Sequence, residues 1–149
     1  MRMALALLLV PATGLVADIT VDKPIIPLAP PGAMVHAAYM TISNTDDVVK
    51  QLVGVSAEGY AMAHMHKTEV KGDVATMLAV DVLEIAPGQS VVFESGGLHL
   101  MLMHPEAPAR VGDTVALTLE FSDGSTDAVS AKVVKMIHGG HGSQGDHGS

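Results

Sequence analysis

The chain has 149 residues, 48% of them hydrophobic, and a formal charge of −8. That length gives one domain with room for a core, and the acidic balance excludes a nucleic-acid surface or a basic patch for anionic lipid. Cysteine is absent, which excludes a disulfide framework, thiolate zinc sites, a redox Cys-x-x-Cys and a His₂Cys blue-copper centre.

The chain opens with the pattern of a signal peptide over residues 1–17. Arg2 supplies the positive start, residues 3–10 an apolar run, and residues 12–17 small side chains near a cleavage point. The run is too short to span a bilayer. Leu15 suits the −3 position poorly if the cut follows Ala17, so a retained membrane anchor is the runner-up. Either form sends residues 18–137, read as one folded domain, across the inner membrane. Losing Arg2 leaves seven basic against sixteen acidic residues.

Short alternating segments fill that domain. Residues 18–22 give a first strand, after which Pro24, Pro27, Pro30, Pro31 and Gly32 predict broken pairing at a sandwich edge. Residues 35–43 follow as a strand ended by a turn at 44–46. His36 on this strand reads as a surface or locally bonded histidine. Further strands are expected at 50–56 and 61–70, then at 74–82 after a hairpin turn at 71–73. A turn at 86–89 precedes strands at 90–94 and 96–104. Residues 113–121 alternate with Val115, Leu117, Leu119 and Phe121 inward, and residues 127–135 close the set. Eight or nine strands with no helical periodicity predict an all-β fold, an antiparallel β-sandwich. Residues 138–149 are too polar and glycine-rich to fold alone and read as a flexible His/Gly-rich tail. Its His138, His141 and His147 suit metal collection, or it is a bland terminus.

Two stretches carry soft-metal chemistry. In residues 96–104, Leu98, Leu100 and Leu102 point one way while His99, Met101 and Met103 point the other. Imidazole nitrogens and thioether sulfurs are ligands for a soft ion; the same pattern also fits methionines filling a core beside an incidental histidine. Residues 60–66 place Met62, His64 and His66 on one strand face. Ten residues separate His66 from Met77, twenty-one separate Met77 from His99, and one separates His99 from Met101. With eight histidines and ten methionines in 149 residues, that spacing arises by chance roughly once or twice in a thousand chains. Gly96 and Gly97 open the second stretch, where missing side chains favour close approach of a backbone or a metal.

The spacing His-x10-Met-x21-His-x-Met resembles the signature of the periplasmic copper chaperones known as PCu(A)C proteins. The segments Pro-Pro-Gly-Ala and Ala-Ala-Tyr-Met-Thr-Ile-Ser-Asn resemble that family too, so the likeness runs from about residue 30 to 121. It implies a cupredoxin-like Greek-key sandwich binding copper(I) through His66, Met77, His99 and Met101. It also implies delivery of the ion to the copper centre of cytochrome c oxidase. Ala75 and Leu78 depart from the methionine and arginine common in the family beside Met77, which bears on the local partner surface. His64, Met103 and His104 are auxiliary candidates, with Met103 expected to pack; copper(II) is a second cargo if the tail takes part.

Four uncharged ligands leave a bound monovalent ion with its charge, which a deep core penalises, so the site is expected at the rim of the sandwich. The expected partners are the copper ion and an acceptor, either an oxidase copper domain or another periplasmic carrier. The mature domain is expected to be soluble and periplasmic. The alternative function is copper or zinc buffering without transfer, and a metal-free adhesion-type sandwich is a third reading. An enzyme is disfavoured: there is no nucleophile elbow, and the carboxylates are scattered.

Overall fold

The computed structural model describes residues 18–135, and ten strands make up its regular structure. They are β1 (Ile19–Pro27), β2 (Val35–Asn44), β3 (Lys50–Ala57), β4 (Tyr60–Lys71), β5 (Val74–Ala79), β6 (Leu83–Ile85), β7 (Ser90–Phe93), β8 (Leu98–Pro105), β9 (Thr114–Phe121) and β10 (Thr126–Val134). The signal segment at 1–17 and the tail histidines His138, His141 and His147 lie outside the described residues. The fold is all-β, as its alternating segments predict.

Pairing runs β5-β4-β8-β7-β2-β1-β10-β9-β3-β6, with β8 also bonded to β2. This ladder folds over one core, because buried side chains from both halves form a single cluster. Leu100 and Leu102 of β8, Ala38, Met40 and Ile42 of β2, and Leu117 and Leu119 of β9 all belong to it. The period-two alternation of β8 and β9 is thus the cause of their placement: Leu100, Leu102, Leu117, Leu119 and Phe121 enter the core, and of the alternating side chains on the other face only His99 is buried.

Two expectations need correction. The proline-rich stretch after residue 22 does not leave the sheet at once; β1 continues to Pro27 and lies between β2 and β10 rather than at an edge. Pro24 lacks an N–H, and it falls where the register with β2 shifts between Asp22 and Ile25, beside Lys23 at φ 48°. Beyond that irregularity, residues 25–27 pair in parallel with β10, and Ile26 is fully buried. The sheet is therefore antiparallel except for β1–β10 and a single β7–β8 bridge. The second correction concerns residues 74–82: β5 ends at Ala79, and an additional strand that was not expected, Leu83–Ile85, forms β6 against β3.

Candidate metal centre

The site is built on the antiparallel pair β4–β8 and its neighbour β5. Met65 faces the core at 5% exposure, so Met62, His64 and His66 project from the outer face of β4. On β8 the buried Leu100 and Leu102 likewise turn His99, Met101 and Met103 outward. The register sets His66 directly opposite His99, His64 opposite Met101 and Met62 opposite Met103. The rings of His66 and His99 are 6.0 Å apart, centre to centre, and tilted at 55°.

The hairpin after β4 brings Met77 to the same face, opposite Thr68 and one rung from His66. Met77 is 59% exposed on β5, an edge strand whose residues are all exposed. Met77, His99 and Met101 line one shallow depression, together with Thr68, Tyr39 and Gly96. The four side chains with the sequence signature are thus brought together on the outer face beside the sheet's edge, which makes the rim expectation specific. Tyr39 and Thr68 carry no local signal, since only the β2 and β5 pairings bring them near.

The two imidazoles differ in what holds them. His99 is buried, and its Nδ1–H donates to the Gly97 carbonyl at 3.0 Å, which leaves Nε2 with an open lone pair. The same carbonyl accepts the Thr68 N–H across the strands at 3.2 Å. Gly96 is required for its φ of +82° and not for close approach, because a Cβ there would meet nothing within 4 Å. His66 keeps a buried Nδ1 with no hydrogen-bond partner among the described residues. Burial lowers its pKa, and the neighbouring His99 and His64 lower it further. His66 therefore stays neutral at neutral pH, the form that ligates a metal. Two open imidazole lone pairs beside two thioethers are a donor set for a soft cation. Among the described residues no three His, Asp or Glu side chains converge on a common point.

The remaining candidates divide. His64 is exposed with its ring 6.4 Å from that of His66, and Met103 is half-buried on the same face. His104 breaks the alternation at φ 54° and is exposed. His36 is not on the surface: it is buried, with Nδ1 2.7 Å from the Tyr60 hydroxyl. Ala75 and Leu78 are exposed on β5.

The LpqE-like family, described as "Putative lipoprotein LpqE-like", matches residues 19–133. This chain belongs to the LpqE-like, PCu(A)C family. The copper(I) form of DR1885 from Deinococcus radiodurans is 31% identical to this PCu(A)C protein, with a TM-score of 0.68 over 87% of this chain and 86% of that one. The copper-bound PCuAC domain from PmoF2 is 22% identical, with a TM-score of 0.67 over 80% of this chain and 95% of that one, and shares the fold. "Putative lipoprotein Lxx21020" of Leifsonia xyli subsp. xyli is 33% identical over 103 residues, which are 68% of this chain. The chain spans 62% of that relative's length and 54% of the length of "Uncharacterized protein RP573" of Rickettsia prowazekii.

Proposed function

We propose that this PCu(A)C protein is a non-enzymatic copper(I) chaperone of the periplasm. It holds the ion with His66, Met77, His99 and Met101 and delivers it to the copper centre of cytochrome c oxidase. The observation that carries this reading is the direct opposition of His66 and His99, 6.0 Å between ring centres, with a thioether on either flank. The copper(I) form of the 31% identical DR1885 supports it.

The exposures suggest an order of exchange. Met77, 59% exposed, is the ligand an acceptor displaces first, and the buried His99 with its fixed ring is the last to let go. A monovalent ion with four neutral ligands keeps its charge, and a half-open face tolerates that charge where a closed core would not. The leader at 1–17 is the export signal in this reading. The family's name refers to lipoproteins, whereas these 149 residues contain no cysteine thiol to carry a lipid.

Anaerobic copper(I) titration against a chromophoric competitor tests the ligand set. One tight equivalent is expected, clearly weakened in Met101→Ala; equal affinity of the two proteins would refute it. Mixing the loaded protein with a purified oxidase copper domain tests delivery. Copper appearing on that domain supports a chaperone, and copper retained by this chain favours the buffering alternative.

A further inference from the structure

Every outward side chain of β4 from Met62 to His66 is a methionine or a histidine, and so is every outward side chain of β8 from His99 to Met103. The four ligands proposed above use only one end of this ladder. Beyond the His66–His99 rung stand two more, His64 opposite Met101 and Met62 opposite Met103. Directly opposed residues have Cβ atoms ~5 Å apart, and successive rungs are ~7 Å apart. The sulfurs of Met62 and Met103 and the imidazole of His64 are therefore within reach of one ion.

A second opening serves this end. β5 pairs with residues 66–71 of β4, the Val80 N–H bonds the Met65 carbonyl, and β5 does not extend along the strand's edge before Met65. Met62 and His64 line a depression of about 260 Å³ there, beside Val55 and Ala57. It is distinct from the one lined by Met77, His99 and Met101. Met62 is 44% exposed, His64 is exposed and Met103 is half-buried, so all three can turn toward an arriving ion.

We propose that Met62, His64 and Met103 form a second station for a soft monovalent cation, one to two rungs from the first. It rests on the reading of the ladder's other end as a copper(I) site, in that the two are neighbours sharing the Met101 rung. Two monovalent ions ~7–14 Å apart repel, which places the second affinity between about two-fold and about fifty-fold below that of an isolated station. The station therefore fills after the first and gives an entering or departing ion ligands on its way.

The test is titration of the full chain with silver(I), a redox-inert soft probe, followed by NMR of ¹³C-labelled methionine methyls. The first equivalent is expected to move the Met77 and Met101 methyls, and the second those of Met62 and Met103. A Met62→Leu/Met103→Leu protein, with its fold checked by its amide spectrum, is expected to keep the first step and lose the second. The inference is overturned if the second equivalent leaves Met62 and Met103 unmoved, or if the double variant retains the second step or loses both. A first equivalent that bypasses Met77 and Met101 would instead refute the four-ligand reading. The second station is then judged on its own two methyls and on the double variant.

Discussion

Lys50 of β3 and His66 of β4 are both polar residues drawn out of solvent, and their surroundings are opposite. The Lys50 side chain is 10% exposed, and its ammonium lies 3.0 Å from Asp123, 3.7 Å from Asp46 and 3.8 Å from Asp18. Beside it the buried Asn44 amide donates to the carbonyls of Val48 and Ile85, and its oxygen accepts the Asp46 N–H. Here each polar group has its partners, and the cluster ties together three turns. His66 instead keeps a buried nitrogen without a partner among the described residues, next to His99 with one ring nitrogen open. Buried polar groups that serve only the fold are satisfied within it. Groups left short of partners on one outer face point to a ligand that completes them.

Substitutions should separate the two regions cleanly. The largest effect is expected for His99→Ala, which removes the buried ligand and lowers copper(I) affinity about a hundredfold or more. Loss of the buried ring also lowers thermal stability, and calorimetry of the metal-free protein should show a drop no larger than that of Asn44→Ala. Asn44→Ala should act on stability alone. It removes the amide's bonds to the buried Ile85 carbonyl and to the part-buried Val48 carbonyl and Asp46 N–H, and costs about 1–3 kcal/mol in urea unfolding, with copper affinity unchanged. Loss of copper affinity in Asn44→Ala would break the separation.

Smaller effects sharpen it. Met101→Leu, at a half-buried ligand, should weaken copper(I) on the order of tenfold, ~1.4 kcal/mol, and Met77→Leu, at an exposed one, by less. The Asp123 carboxylate is held far below the usual range by the Ser125 hydroxyl and N–H and then by Lys50. A depressed folded pKa contributes stability that is present above the unfolded value near pH 4 and lost as pH falls below it. Asp123→Asn should therefore lower stability by a constant amount above about pH 5 and flatten the acid limb, because the contribution that acid removes is already gone.

Much of this was legible in the chain. The alternation of Leu98, Leu100 and Leu102 with His99, Met101 and Met103 is visible in nine residues, and the structure places the two sets on opposite faces. The same holds for Leu117, Leu119 and Phe121. β6 was not legible, because Leu83-Glu84-Ile85 is too short for a period and exists through its pairing with β3. The extension of β1 through Pro24 was hidden for a related reason: a proline argues against a strand unless a register shift absorbs its missing N–H, and that shift is a property of the pair. At the site, the resemblance of the spacing to the PCu(A)C signature named the four candidates. What no spacing could give was the face-to-face register of His66 and His99, the Gly97 carbonyl that orients His99, or the partnerless nitrogen of His66.

The most direct test is X-ray absorption at the copper edge on the full chain loaded anaerobically with less than one equivalent of copper(I). A mixed shell of two imidazole nitrogens and two sulfurs is predicted, with one sulfur lost in Met101→Leu. A shell of nitrogen and oxygen alone, or one that Met101→Leu leaves intact, would contradict the account.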